Sequence, residues 1–156
     1  MNLKEKRSCG TCSLCCTLLP VAEINKLANE RCEHQDHGCR VYNNRPRSCH
    51  AWSCRWLMNQ AGETSRPNKV HYVIDVVPDH VEVQDTETLD GVRTEVIQVW
   101  CDPKYPKAYD DKKLREFLNK VKKIGLIRFN AVDAIAIVPP SVSGKDRWME
   151  ITGNLK

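Results

Sequence analysis

The stretch Cys9-Gly-Thr-Cys12-Ser-Leu-Cys15-Cys16 contains two overlapping Cys-x-x-Cys steps and ends on an adjacent pair of cysteines. In a Cys-x-x-Cys step, a tight turn can direct two thiolates and several backbone N–H groups at one metal ion. Gly10 and the small residues Thr11 and Ser13 leave the backbone room for such a turn. The stretch therefore predicts a metal-binding loop around which the first part of the chain folds.

Cysteines are concentrated at the start of the chain: nine occur in 156 residues, and only Cys101 lies beyond the first 54. The other eight are all candidate metal ligands: Cys9, Cys12, Cys15, Cys16, Cys32, Cys39, Cys49 and Cys54. Apart from cysteine, the first 54 residues carry too little apolar material for a normal core. A bound structural metal is one of the few ways to stabilise so short a segment.

The cellular compartment decides between disulfides and metal. Residues 1–7 are charged and no apolar stretch follows them, so we expect no secretory signal and a cytoplasmic location. Ordinary thiols stay reduced in the cytoplasm. We also expect no contact with a membrane, because no apolar run approaches the roughly 20 residues of a spanning helix. Metal binding is therefore favoured over a disulfide framework.

The adjacent thiols of Cys15 and Cys16 leave the number of sites open. Neighbouring side chains of an extended segment point to opposite sides, so these two sulfurs are not expected to bind one ion. Either they serve two sites, or one binds metal and the other packs. Two zinc ions would use all eight N-terminal thiols, whereas a single 4Fe-4S cluster would use four of them. Residues 1–60 hold nine Lys and Arg against five Asp and Glu, and this basic excess offsets thiolate charge in both cases.

Two cysteine segments together resemble a known family. The first is Cys9-x-x-Cys12-x-x-Cys15-Cys16, and after Cys32 comes the second, Gly38-Cys-Arg-Val-Tyr-Asn-Asn-Arg-Pro-Arg-Ser-Cys49. This combination resembles the YkgJ-type CxxCxxCC cysteine-cluster family, described as chelating zinc or iron, over the first third of the chain. His50 departs from the pattern, since the family usually has Arg after the last cysteine.

A related cysteine domain in flagellin lysine N-methylases is associated with an iron–sulfur cluster. The present chain shows no glycine-rich nucleotide loop after a strand, so the methyltransferase activity is not carried over. The resemblance implies a cofactor of zinc or iron, a 4Fe-4S cluster included.

Two units are expected, with the overall class α+β. Residues 1–60 form a small, irregular, metal-stapled cysteine module, and residues 69–156 form a small antiparallel-sheet-plus-helix unit packed on it. The polar, turn-rich residues 61–68 read as a linker or loop. Within the module, Pro20 to Asn29 predicts a short helix with Val21, Ile24 and Leu27 on one face.

The second unit is rich in valine and isoleucine, which favour a pleated sheet. Residues 70–77 and 81–85 read as strands around a hairpin turn at Pro78-Asp79-His80, and residues 92–101 as a third strand. Asp110 and Asp111 open an amphipathic helix that runs to about Lys123, and Gly125 is read as its end. Residues 131–138 predict a buried strand and residues 148–151 an edge strand.

Other chemistry-bearing residues are weaker candidates. His34, His37 and His50 lie near cysteines and could be further ligands, although imidazoles in polar loops are commonly just solvated. Cys101 follows a hydrophobic strand, where a small buried residue is the ordinary role. No catalytic motif was found, so catalytic residues remain unassigned.

Three classes of function compete. The first is a cytoplasmic metal-binding protein, and the second is an iron–sulfur-dependent enzyme or redox sensor. The third is a zinc-stabilised nucleic-acid-binding module, in which Trp52 and Trp56 with Arg55 between them could stack on bases. We predict the first class, with a metal ion as the partner; the sequence identifies no substrate and no protein partner.

Overall fold

Among the described residues, six strands form one sheet in the second half of the chain. The structure, a computed structural model, describes residues 7–76, 79–83 and 92–152, without the side chains of 79–83 and 92–94. The strands are Tyr72–Ile74 (β1), Asp79–Val83 (β2), Val92–Cys101 (β3), Ile124–Arg128 (β4), Ala134–Val138 (β5) and Met149–Ile151 (β6). Their order is β1-β3-β4-β5-β6, with β2 also paired to β3. The α+β class is confirmed.

The ten-residue strand β3 organises the sheet. On one edge it pairs antiparallel with β2 at residues 92–96 and with β1 at residues 99–101. On its other edge it pairs parallel with β4, with Val96 opposite Ile124. The predicted hairpin at Pro78-Asp79-His80 is wrong, because β1 and β2 do not pair with each other. They lie end to end along β3, Asp79 already belongs to β2, and Pro78 lies outside the described residues.

Five helices accompany the sheet in the part of the chain that the structure describes. They are Cys15–Leu18 (α1), Arg47–Ala51 (α2), Pro67–Val70 (α3), Lys112–Val121 (α4) and Pro140–Ser143 (α5). Short 3-10 turns cover Ala22–Ile24, Tyr42–Asn44 and Ala108–Asp110. Within the described residues, no helix combines the length and the apolar character needed to cross a bilayer.

Helix α4 connects the parallel strands β3 and β4. The predicted helix is confirmed, with Asp111 at its N-cap and with Leu114, Phe117 and Leu118 buried against the sheet. It ends earlier than expected, at Lys122, which adopts a left-handed conformation with φ 56°. Strand β4 has no counterpart among the predicted elements, because the sequence pattern ends the helix at Gly125 and begins the next strand at residue 131.

Gly125 lies inside β4 and does not end the helix. A Cβ atom on this residue would lie 2.8 Å from Leu118 Cδ1 and 3.0 Å from Ile137 Cγ1. Both distances are shorter than normal carbon contacts, so glycine allows α4 and β5 to pack closely on β4. The residue marks a close approach between a helix and a sheet.

Replacing Gly125 with alanine should therefore destabilise the fold. We expect Gly125→Ala to lower the free energy of unfolding by about 1–3 kcal/mol, because the added methyl group overpacks the core. Urea unfolding followed by circular dichroism measures the change. An unchanged midpoint would show that Leu118 and Ile137 can move aside.

The main core lies between α4 and one face of the sheet. It contains Tyr72, Val99, Leu118 and Ile127, none of them more than 1% exposed, and Trp56 of the cysteine-rich segment packs against it. Ala61 is fully buried in the same core, so the segment expected to be a linker is packed against the sheet unit. The remaining predicted strands are confirmed as β5 and as β6, which pairs with β5 alone.

Tyr72 ties this core to the start of α4. Its O–H donates a hydrogen bond of 2.6 Å to the Asp111 carboxylate. Burial, followed by the bond to Asp111, raises the pKa of the phenol well above its ordinary value. Folding therefore favours the protonated phenol.

This raised pKa predicts a loss of stability at alkaline pH. The contribution of Tyr72 is fully present below the ordinary phenol pKa of about 10, and it declines above that pH because only the unfolded phenol ionises. Tyr72→Phe should be less stable at pH 7, through the lost hydrogen bond, and should lose less stability between pH 9 and pH 11 than the unmodified protein. Equal slopes in that range would contradict the assignment.

Candidate metal centre

Four of the eight N-terminal cysteines meet around one partly enclosed pocket. Cys9, Cys12, Cys15 and Cys54 line it. The remaining walls are apolar and come from Trp56, Leu57, Pro67 and Val73. The pocket thus joins the first cysteine loop to a cysteine from the far end of the segment.

Tight turns place the first three thiols. The N–H of Cys12 donates to the carbonyl of Cys9 at 2.8 Å, which closes the first Cys-x-x-Cys step. Helix α1 begins at Cys15, and Gly10 turns the chain with φ 53°. Gly38, with φ 124°, packs so closely on this loop that its Cβ would lie 3.1 Å from the Gly10 carbonyl oxygen. Glycine at position 38 brings the second cysteine segment against the first.

Cys32 and Cys39 are held beside α1 by backbone and side-chain hydrogen bonds. The N–H of Cys32 donates to the carbonyl of Cys16 at 3.1 Å. Gln35 forms an isolated β-bridge with Cys39, and its side-chain amide donates to Ser13 Oγ at 2.8 Å. Gln35 therefore fastens the loop between Cys32 and Cys39 to the segment that leads into α1.

Cys49 reaches the same region through α2. The Glu23 carboxylate accepts the Ser48 N–H at 3.1 Å, near the start of the helix. Burial raises the pKa of the Cys49 thiol, and the charges of Cys16, Cys32, Glu23 and Cys39 raise it further. Cys16, Cys32, Cys39 and Cys49 are the four N-terminal cysteines that do not line the pocket.

Burial makes most of these thiols poor anions by themselves. It raises the pKa of Cys9 and of Cys54, and nearby thiolates add to the effect in both. Cys15 and Cys16 share a hydrogen bond, which raises the pKa of Cys15 and lowers that of Cys16 to about 7, helped by the charge of Lys26. A bound cation would lower the pKa of Cys9 and Cys54, because it favours the thiolate form.

No metal coordination shell is preformed in the described residues. No group of three or more His, Cys, Asp or Glu side chains there is arranged so that it could hold a metal ion as it stands. All eight N-terminal thiols are half-buried and free, and Cys101 is free and buried. The structure therefore brings four of the predicted ligands to one pocket without directing them at a common point.

The imidazoles and Cys101 make other contacts. His34 Nε2 lies 3.5 Å from the Glu33 carboxylate, and His37 Nε2 lies 3.9 Å from the Asp36 carboxylate. His50 Nδ1 lies 3.4 Å from the Arg45 guanidinium. Cys101 is 1% exposed in the main core, and its thiol donates to the Tyr105 carbonyl at 3.3 Å. The expected role of Cys101 as a small buried residue agrees with this position.

Lys26 organises the segment predicted as a helix from Pro20 to Asn29, and that prediction is wrong. Only Ala22–Ile24 forms a 3-10 turn, and Val21 and Lys26 exchange two backbone hydrogen bonds. The Lys26 ammonium is buried and donates to the carbonyls of Thr17, Leu19 and Leu27. These bonds join residues on both sides of the 3-10 turn and hold the segment as a compact loop. The amino-acid sequence gives no indication that the Lys26 side chain is buried.

The Lys26 network gives a prediction for stability. Lys26→Met should lower the melting temperature markedly, because three carbonyls lose a charged donor, each such bond being worth about 1.5–3 kcal/mol at most. Lys113→Met, at an exposed lysine of α4, is the matched control and should change stability by about 0.5 kcal/mol or less. Equal melting temperatures for the two variants would contradict the role of Lys26.

Comparison with known proteins identifies no relative of this chain. No protein-family model matches the chain, and no significant match exists among curated proteins or solved structures. The resemblance to the CxxCxxCC family therefore depends on the cysteine spacing and the segment from Gly38 to Cys49, and it stays a prediction. The fold and the site define a mixed α+β chain with a thiol-rich N-terminal segment.

Proposed function

We propose that this protein is a metal-binding protein whose N-terminal cysteine cluster chelates zinc or iron. The observation that carries the proposal is the pocket lined by Cys9, Cys12, Cys15 and Cys54. Its four thiols come from two distant parts of the segment and share one small space with apolar walls. Soft thiolate ligands in such a set are typical of zinc and iron–sulfur sites.

The packing of the segment supports a structural need for the metal. Among residues 7–60, Leu18 is the only apolar side chain that is fully buried. A chain with so little core requires another source of stability, and a zinc site can contribute on the order of 10 kcal/mol. Binding would require the thiols to rotate onto the ion, which deprotonates them.

Cations near the thiols suit a negatively charged thiolate site. Lys26 and Arg45 lower the pKa of Cys16, and Arg45 and Arg66 act in the same direction on Cys9. Arg7 lies in the same region. Its guanidinium is 4.7 Å from the ring centroid of Trp56, which lines the pocket. These charges would offset the negative charge of four thiolates around a divalent ion.

The described pocket is small. The space between its walls is about 20 Å³, which is room for one atom or one water molecule. A four-iron, four-sulfide cluster contains eight atoms and would need the walls to move apart. An iron–sulfur-dependent enzyme or redox sensor remains the second candidate, supported by the Cys-x-x-Cys-x-x-Cys spacing alone.

The nucleic-acid alternative has less support. Arg7 and Arg66 both stack against the Trp56 ring, at 4.7 and 5.3 Å, and Trp56 also packs on the main core. The Trp52 Nε1–H donates to Asp75 at 2.8 Å. Both rings are thus engaged within the protein and are poorly placed to stack on bases. The cytoplasmic location remains part of the proposal, and nine free thiols suit a reducing compartment.

Substitution of single cysteines tests the proposal. Cys12→Ser and Cys39→Ser should each lower both the bound metal and the melting temperature, since metal binding is coupled to folding. The measurements are zinc and iron analysis, visible absorption and thermal unfolding of protein purified without air or added metal. Cys101→Ser is the control and should keep its full metal content.

The same measurements distinguish the metals. Colourless protein with zinc supports a structural site. Brown protein with iron and acid-labile sulfide supports a cluster. Protein without metal, or variants with unchanged metal and stability, would overturn the proposal.

A further inference from the structure

Cys54 is the one pocket thiol that lies far along the chain from the others. Cys9, Cys12 and Cys15 follow one another in a single loop, whereas Cys54 comes after helix α2, whose C-cap is Trp52. Bringing Cys54 to the pocket closes a long loop, and the entropy cost of that closure has to be offset by contacts near Cys54. These contacts decide whether the pocket keeps its fourth thiol.

The residues on either side of Cys54 are hydrogen-bonded to the end of strand β1. The Trp52 Nε1–H donates to Asp75 Oδ1 at 2.8 Å. The backbone N–H of Arg55 donates to the Ile74 carbonyl at 3.0 Å, and its Nε–H donates to the Asp75 carbonyl at 3.0 Å. Cys54 therefore lies between two residues that are both bonded to the same strand end.

The sheet fixes Asp75 in turn. Its N–H donates to the Gln98 carbonyl at 2.9 Å, and its Oδ2 accepts the Trp100 Nε1–H at 3.4 Å. Asp75 is buried, and Val73, two residues earlier in the chain, is one wall of the pocket. The end of β1 thus supplies both a wall of the pocket and the acceptor that holds Trp52.

The bond from Trp52 restricts the position of the Cys54 thiol. An indole N–H only donates, and a donor shielded from water without an acceptor costs free energy. The half-buried Trp52 ring is therefore oriented by the Asp75 carboxylate. After Cys54, the N–H of Leu57 donates to Cys54 Sγ at 3.4 Å, and Leu57 also lines the pocket. Moving this segment off β1 would move the thiol with it.

We infer that Asp75 is a positioning residue for the thiol pocket. Its side chain and its carbonyl hold the segment from Trp52 to Arg55 against the end of β1, so that the Cys54 thiol lies with the other three pocket thiols. Asp75 is not among the residues that line the described pocket, and it acts through Trp52 and Arg55.

The consequence for metal binding rests on the proposed function. Four thiolates can share a metal ion only while Cys54 stays at the pocket, so Asp75 is expected to raise the affinity for zinc without contacting the ion. The position of Cys54 in the metal-free chain does not depend on that function.

Two tryptophans that donate to the same carboxylate provide a matched pair of variants. Trp52→Phe and Trp100→Phe each remove one indole N–H from Asp75 and keep an aromatic ring. Only the first loosens the segment that carries Cys54, since Trp100 belongs to β3. Asp75→Ala removes both side-chain acceptors, whereas Asp75→Asn keeps one oxygen for Trp52 and should recover part of the loss.

The first readout is the alkylation rate of each cysteine in reduced, metal-free protein, measured with iodoacetamide and peptide mass spectrometry. Trp52→Phe should raise the rate at Cys54 about tenfold, because losing a bond to a carboxylate makes local opening easier. Trp100→Phe should leave that rate unchanged. Cys101 lies in the main core and reports general unfolding, so its rate should stay the same in both variants.

The second readout is the zinc affinity, measured by competition with a chelator of moderate affinity under the same reducing conditions. Trp52→Phe should weaken zinc binding about tenfold, and Trp100→Phe should leave it unchanged. Asp75→Asn should fall between the unmodified protein and Asp75→Ala in both readouts, an order that the loss of a merely structural contact elsewhere would not produce.

The outcomes separate the inference from the proposed function. Equal alkylation rates at Cys54 in the two tryptophan variants would overturn the positioning role, and so would a rise at Cys54 that Cys101 shares. Faster alkylation of Cys54 with unchanged zinc affinity would overturn the role of Asp75 in metal binding. If the unmodified protein binds neither zinc nor iron, the proposed function fails, while the alkylation rates still decide whether Asp75 positions Cys54.

Discussion

The N-terminal segment must hold together with almost no hydrophobic core, and this constraint shapes the rest of the molecule. Of residues 7–60, Leu18 alone is a fully buried apolar side chain. Backbone turns, the buried Lys26 ammonium and the half-buried thiols take the place of a core. Burial raises the pKa of Cys9, Cys49 and Cys54, so these thiols carry little charge without a bound cation. The proposed metal binding would cross-link thiols from distant parts of the segment.

The sheet unit supplies the rigid support that this segment lacks. Asp75 follows β1 and is 7% exposed; its carboxylate accepts the Trp52 Nε1–H at 2.8 Å and the Trp100 Nε1–H at 3.4 Å. The Arg55 N–H donates to the Ile74 carbonyl, directly beside Cys54. Earlier in the chain, the Asn29 side-chain amide donates to the Phe129 carbonyl at 2.8 Å. The position of Cys54, and with it the pocket, thus depends on the edge of the sheet.

Elements with a strong local signal were predicted well. The amphipathic spacing of Leu114, Phe117 and Leu118 identified α4, and the valine-rich run identified β3. Predictions failed where a distant contact overrides the local pattern. Gly125 reads as a helix end, yet it is the position where Leu118 and Ile137 meet a strand. Residues 20–29 have helical spacing, but Lys26 turns inward and folds them into a loop.

The sequence by itself determined the chemistry of the candidate site: the eight ligand-type residues, their short spacings and the α+β class that follows from composition and pattern. Only the tertiary structure decided which cysteines share the pocket, since Cys54 joins Cys9, Cys12 and Cys15 there from the far end of the segment. It also decided that β3 and β4 are parallel. The physical reason is the same in each case. Spacing along the chain restricts contacts over a few residues, whereas long-range pairing depends on how turns, the buried lysine and the core position whole segments against each other.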